Sequence, residues 1–182
     1  MPRTFWFIFA AMLVPWLCMN LWTAPRIEEL AGGLRLLEMR PGGYSLDDAK
    51  DFVAALGDEG AAHYLDVQLP LDMIFPPLLG AVLFLCYRWL FPGLPGLIIG
   101  TVSLTYIVAD YLENAAVAAM LRAGADDLTL HMATTANRWT LAKWSLSLVG
   151  LVTLMIGILL RLRRRRFPES PDRQQARPGP RI

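Results

Sequence analysis

Asp110-Tyr111-Leu112-Glu113-Asn114 lies inside an apolar segment, residues 94–121, that is long enough to cross a bilayer. Its two carboxyl groups and its carboxamide are spaced i, i+3 and i+4, so they share one face of a helix. Tyr106 and Ser103 extend that face by one and two turns toward the N-terminus. Ionisable groups inside a membrane are costly, so this polar face predicts partners elsewhere in the chain.

The apolar residues of the chain are concentrated in blocks. They make up 55% of the 182 residues, above the usual share in soluble domains. Four blocks have the length of membrane-spanning helices, at about 5–22, 71–90, 94–121 and 138–160. The fold class predicted from them is all-α, an integral membrane four-helix bundle. Cys18 and Cys86 both fall in apolar blocks, which excludes a disulfide framework, and a net charge of +1 gives no field that would recruit nucleic acid.

The first apolar block has a competing interpretation as a cleaved signal peptide. Pro15 interrupts the run, and no small-x-small cleavage site follows it. Leu17 precedes Cys18 where a lipoprotein signal has a small residue. The block is therefore interpreted as a retained membrane helix, with cleavage left as the alternative.

A polar connection, residues 23–69, joins the first two blocks and carries a formal charge of −5. Ser45 followed by Asp47 and Asp48 is typical of a helix N-cap with acids in the first turn. Helical spacing continues to Gly57, a predicted stop, and a second short helix is expected from about 59 to 68. The pattern predicts short amphipathic helices over the mouth of the bundle, too small to hold a core of their own.

Prolines and glycines punctuate the next two blocks. Pro76-Pro77 predicts a kink in the second membrane helix, with the freed carbonyls satisfied by neighbouring helices. The breaker-rich turn at 91–96 makes the second and third helices antiparallel neighbours. Gly96 and Gly100 form a GxxxG pattern, which allows close helix approach and is weak evidence of dimerisation.

The distribution of arginine predicts the orientation of the bundle. Arg3, Arg88 and the basic run at 161–166 alternate with acidic or neutral connections, so the positive-inside rule puts both termini in the cytoplasm. Residues 1–166 then form the transmembrane domain, the 23–69 connection is extracytoplasmic, and 167–182 form a disordered basic cytoplasmic tail. An excess of arginine over lysine is typical of a GC-rich bacterial genome, hence a bacterial inner membrane. The partner is the lipid bilayer, with anionic lipid contacted by Arg161, Arg163, Arg164, Arg165 and Arg166.

This topology places polar groups of several helices at one depth. Asp110 lies ~24 Å above the cytoplasmic start of its helix at about 1.5 Å per residue, and Lys143 lies ~8 Å below the outer start of the last helix. The predicted cluster comprises Asp72, Asp110, Glu113, Asn114 and Lys143. Three acids against one lysine predict either a protonated carboxyl or a bound cation.

Three classes of function are open. The cluster is either a structural ion pair in a structural or accessory membrane protein, or a small-molecule, ion or proton site of a transporter, or the site of a membrane-embedded enzyme acting on a lipid-like substrate. The first is favoured and an enzyme is favoured less; catalytic residues are not assigned. No cofactor is predicted, and no metal, because the Lys143 ammonium opposes a carboxylate metal site. His63 and His131 lie in outer loops at no ligand spacing.

Several stretches resemble small bacterial four-helix inner-membrane proteins. They are Leu56-Gly57-Asp58-Glu59-Gly60 with Tyr64, Leu71-Asp72-Met73-Ile74-Phe75-Pro76, Asp110-Tyr111-Leu112-Glu113-Asn114, and Lys143-Trp144. The similarity covers about residues 45–157 in order. It implies the four-helix architecture and the grouping of the polar cluster, and it implies no activity. A basic residue often follows the second glycine in those proteins, where this chain has Ala61, Ala62 and His63.

Overall fold

The computed structural model describes residues 2–166, with side chains as far as residue 163. The predicted disordered tail, 167–182, and the side chains of the last three predicted lipid-binding arginines lie outside the described residues. Within 2–166 every regular element is helical. The α-helices are α1 (Arg3–Cys18), α2 (Ala24–Leu30), α3 (Leu46–His63), α4 (Leu69–Leu90), α5 (Leu94–Ser103), α6 (Thr105–Asp127) and α7 (Leu130–Arg166).

Four continuous helical stretches are long and apolar enough to cross a membrane. They are Arg3–Leu30, Leu46–Leu90, Leu94–Asp127 and Leu130–Arg163. The prediction of an all-α fold with four such helices is confirmed at this level. Many large apolar side chains on these helices are exposed, Phe7 and Leu148 among them, as expected of surfaces that face lipid.

The helices extend well beyond the apolar blocks. A π-helical turn, Met19–Thr23, continues α1 into α2, and a second one, Tyr64–Gln68, continues α3 into α4. Only residues 31–45 of the 23–69 connection leave the helical path, apart from a short 3₁₀ turn at Leu37–Met39. Hydropathy predicts helix boundaries at the ends of the apolar blocks, but an amphipathic helix continues past that point when one of its faces is packed.

Two local signals in the connection are confirmed. Ser45 caps α3 as predicted: its hydroxyl accepts a hydrogen bond from the Asp48 amide, and the Asp48 carboxylate accepts one from the Ser45 amide. Gly57 ends the first helical half as predicted, because it has φ 60° and ψ −173°, a non-helical conformation that favours glycine, and a second helical half begins directly after it. Gly57 therefore bends the path between two helical halves.

The largest buried core lies between the connection and the ends of α6 and α7 next to it. Its innermost side chains include Ile27, Leu36, Phe52, Met120 and Ala136, all almost completely buried. One polar contact anchors the connection to α7: the Tyr44 amide donates to Asn137 Oδ1 at 3.0 Å. The connection thus shares one core with the long helices.

The other half of the bundle packs around α4. This helix contacts α1, α5, α6 and α7. A Cβ at Gly96 would collide with the Phe91 carbonyl, and one at Gly100 would collide with the Phe84 ring. The two glycines of the GxxxG pattern therefore allow α5 to pack closely against α4 of the same chain.

A tyrosine on α6 satisfies a carbonyl that proline leaves free on α4. Pro77 has no N–H to donate to Met73, four residues earlier. The Tyr111 hydroxyl donates to that Met73 carbonyl at 2.9 Å. A neighbouring helix thus supplies the missing donor, as the proline pair predicts.

Candidate functional site

The centre of the polar cluster is an ion pair between α6 and α7. Glu113 is fully buried, and its Oε2 pairs with the Lys143 ammonium. Glu113 Oε1 has no hydrogen-bond partner among the described residues. One turn away on α6, the Asn114 amide donates to Asp110 Oδ1 at 3.2 Å. Each carboxyl group of α6 therefore has a side-chain partner: Asn114 on the same helix for Asp110, and Lys143 on α7 for Glu113.

All five residues of the predicted cluster lie together in the fold. Asp72 on α4 and Asp110, Glu113 and Asn114 on α6 are each at least nine-tenths buried, and the Lys143 side chain is 12% exposed. Asp72, Asp110 and Lys143 line one cavity, whereas Glu113 and Asn114 lie behind its wall. Some residues of the cluster are therefore in contact with the cavity, and the others hold those residues in place from behind.

The cavity has a volume of about 260 Å³, and its wall has contributions from every long helical stretch. It lies where the connection meets the bundle, and its wall combines charged, amide and aromatic side chains. The polar and aromatic lining residues are Trp16, Asn20, Glu38, Gln68, Asp72, Phe75, Tyr106, Asp110, Lys143, Trp144 and Ser147. Lys143 is the single basic residue among the described residues of this wall.

Glu38 is a fourth acid of the site, and sequence reasoning missed it. It lies in the 3₁₀ turn of the connection, yet it is 7% exposed. Its Oε1 accepts a hydrogen bond from Gln68 Nε2 at 3.2 Å, and its main-chain carbonyl accepts one from Trp144 Nε1 at 3.0 Å. In the sequence Glu38 is one of nine acidic residues in the polar connection, and no periodic pattern distinguishes it from the other eight.

The environment of Glu38 favours its neutral form. Burial raises its pKa well above the ordinary value, and the nearby carboxyl groups of Asp72 and Glu113 raise it further. The Lys143 ammonium and the hydrogen bond from Gln68 act in the opposite direction and are weaker than burial. The balance of these effects shifts the carboxyl group toward its protonated form.

Two π-helical turns meet at the edge of the cavity. The turn Met19–Thr23 contacts the turn Tyr64–Gln68, and a hydrogen bond between the Thr23 hydroxyl and Gln68 Oε1 joins them. Thr23 and Gln68 are both buried. π-Helical turns are rare and occur frequently at functional sites. Here they direct Asn20 and Gln68 toward the cavity.

A second, apolar cavity adjoins the first. It has a volume of about 500 Å³, lies between α4, α5 and α7, and is lined mainly by leucine, isoleucine and valine. We call it the lateral groove, because side chains at its rim such as Val102, Val149 and Leu151 are more than half exposed. Tyr106 and Ser147 line both the polar cavity and the lateral groove. These two residues therefore belong to the walls of both spaces.

The contacts of these residues do not support a Ser–Lys dyad or a metal site. Ser147 Oγ donates to the Lys143 carbonyl of its own helix at 2.8 Å, so its proton is not directed at Lys143 Nζ. No group of three or more His, Cys, Asp or Glu side chains in residues 2–166 is arranged to hold a metal ion.

At the opposite end of the bundle, Arg161 is engaged within the chain. Its guanidinium lies 3.7 Å from the centre of the Trp89 ring, and Nη1 donates to the Trp89 carbonyl at 2.8 Å. Arg163 is exposed. Contact of the basic run with anionic lipid stays a prediction.

No protein-family model matches this chain, and neither a curated protein nor a solved structure is significantly similar to it. The resemblance to small bacterial four-helix inner-membrane proteins therefore stays a prediction, and the site has to be interpreted from its own geometry.

Proposed function

We propose that this chain is a multi-pass protein of a bacterial inner membrane, with both termini cytoplasmic, that binds a lipid-like amphiphile with its polar head in the outer half. The four long apolar helices support membrane insertion. Arg3, Arg88 and Arg161 lie at the end of the bundle opposite the acidic connection, which supports the orientation.

The adjacency of a polar cavity and an apolar groove, which share two wall residues, carries this proposal. A structural ion pair requires neither space, and a site for a small soluble molecule does not require the groove. A molecule with a polar head and an apolar chain would use both, with its junction beside Tyr106 and Ser147. The volume of the lateral groove, about 500 Å³, is in the size range of small-molecule sites, and that of the polar cavity, about 260 Å³, is just below it.

The ion pair of Glu113 and Lys143 has a supporting role in this proposal. It lies behind the cavity wall and joins α6 to α7. Buried pairs of this kind often serve specificity of packing. The structural alternative explains this pair, but it leaves Asp72, Asp110 and Glu38 without a reason for being buried around an open space.

Transport of the amphiphile is a second candidate, favoured by a local change of hydrogen bonding in the third long helix. Leu104, between α5 and α6, keeps helical dihedral angles, but its amide donates to the Thr101 carbonyl three residues earlier, as in a 3₁₀ turn. Tyr106 lies two residues beyond it. A 3₁₀ turn inside a long helix often marks a functional hinge.

The proposal is tested by filling the junction of the two spaces. Ser147→Phe places a ring between cavity and groove, whereas Ser145→Phe places it on an exposed position of the same helix. The two serines make the same bond to a carbonyl four residues earlier, so the loss of that bond is matched. Each variant is purified in a mild detergent, and co-purified lipid is identified by native mass spectrometry.

We expect the wild type and Ser145→Phe to retain a lipid adduct that Ser147→Phe loses. Equal adduct occupancy in all three proteins, or no adduct in any of them after reconstitution in native lipid extract, would overturn the proposal. Folding of Ser147→Phe is checked by its thermal unfolding temperature, with Ser147→Val as a smaller second substitution that narrows the same junction.

A further inference from the structure

We infer that the head group of the bound amphiphile is cationic, a primary ammonium, held among Asp72, Asp110 and Glu38. The inference rests on the proposed function and names the chemistry of its ligand.

The charges of the cavity do not balance within the described residues. Lys143 is the one base of the wall, and Glu113 already pairs with it. Three further carboxyl groups, those of Glu38, Asp72 and Asp110, line the same space and are buried. Buried carboxyl groups are retained when a cation compensates them, or else they bind protons.

Part of the hydrogen-bonding capacity of these carboxyl groups is unused. Asp72 is 8% exposed, and the donor beside it is the Asn114 amide, which it shares with Asp110. Glu38 accepts one side-chain bond, from Gln68. A carboxylate has about four acceptor positions, and an ammonium supplies as many as three donors. The carboxyl groups of the site therefore offer more acceptor positions than these neighbouring donors fill.

Aromatic rings complete the wall. Trp16, Phe75, Tyr106 and Trp144 line the cavity together with the acids. The faces of such rings attract cations, and rings combined with carboxylates are a recurring solution for ammonium recognition. An anionic head group would meet the same carboxylates without a free lysine, so its binding is disfavoured.

Three amphiphiles with one chain length test the inference: dodecylammonium, dodecanol and dodecyl phosphate. Their binding to the 182-residue chain is measured by native mass spectrometry in a neutral maltoside detergent at neutral pH. We expect the ammonium compound to bind about tenfold or more tightly than either other compound, the ratio expected for a charge-assisted contact.

Two acid variants locate the head group. Asp72→Asn and Glu38→Gln are expected to weaken the ammonium compound about tenfold and to leave dodecanol unchanged. Asp58→Asn, an exposed acid of the connection, is expected to change neither. The two variants lie on different elements, so either one decides the question if the other fails to fold.

The outcomes separate the inference from the proposed function. Equal binding of all three amphiphiles, or preference for the phosphate, would overturn the cationic head group and leave amphiphile binding standing. No binding of any of them would overturn the proposed function itself. Ammonium binding that is unaffected by both acid variants would overturn the assignment to these carboxyl groups.

Discussion

Trp144 on α7 donates a hydrogen bond of 3.0 Å from its indole nitrogen to the main-chain carbonyl of Glu38, 106 positions earlier in the chain. This contact fixes the 3₁₀ turn of the connection against the bundle. It brings a carboxyl group from a polar connection into the same cavity as two acids of the long helices. The site therefore depends on how the connection docks.

Replacing Trp144 tests the importance of that docking. Trp144→Phe keeps a ring but removes the donor, and we expect a loss of about 1 kcal/mol in the free energy of unfolding. Unfolding is followed by titration with a denaturing detergent. Trp22→Phe, at an exposed tryptophan near the same end, serves as control and is expected to change stability little. Equal effects at both positions would contradict a specific role for the bond.

The ion pair between Glu113 and Lys143 gives a sharper expectation. Lys143→Met leaves a fully buried carboxyl group without its cation, a change that typically costs about 3–5 kcal/mol. Adding Glu113→Gln removes the uncompensated charge, so the double variant should recover much of the loss. A double-mutant cycle of unfolding free energies measures the coupling.

Lys50→Met controls for loss of a lysine, because Lys50 is the other lysine of the chain. Wild-type stability in Lys143→Met would show that the pair contributes nothing net. In that case the charges would be retained for the cavity alone, which also favours a ligand site over a structural pair.

The raised pKa of Glu38 predicts a pH dependence of stability. Folding shifts its pKa upward from an ordinary value of 4.5, so the folded state binds more protons than the unfolded state in the interval between the two values. This contribution to stability is complete below the ordinary pKa and is lost as pH rises through the folded value. Asp72, Glu113 and Lys143 face the same carboxyl group.

Glu38→Gln removes this titration. We therefore expect the unfolding temperature of the wild type to fall more steeply with rising pH than that of Glu38→Gln, with Asp58→Asn following the wild type. The unfolding temperature is measured across a pH series in one detergent. Parallel curves for wild type and Glu38→Gln would contradict the burial of an uncompensated acid at this position.

The hydroxyl of Tyr111 satisfies the Met73 carbonyl only because Pro77 cannot. Tyr111→Phe should therefore cost about 1 kcal/mol of unfolding free energy in the wild-type background. In a Pro77→Ala background the alanine amide restores the helical donor, so the same substitution should cost less. Comparing the two backgrounds measures the coupling, and equal costs would rule out this compensation.

The sequence determined the helices and half of the site. Hydropathy located four apolar helices, and an i, i+3, i+4 spacing selected Asp110, Glu113 and Asn114 as one polar face. Lys143 and Asp72 followed from depth along the helices. The first of these signals is the spacing of residues along one helix, and the second is the depth of a residue along its helix axis. Both can be obtained from the sequence alone.

Only the tertiary structure decided which of these residues surround a space and which support it. Glu38, Gln68 and Trp144 are joined across 30 and 106 positions, by docking that no periodicity encodes. The two adjoining cavities also depend on the packing of α4, α5 and α7. The periodicity of a sequence shows which face of a helix is polar. Whether that face borders a cavity depends on how the side chains of the other helices pack against it, which the sequence pattern does not show.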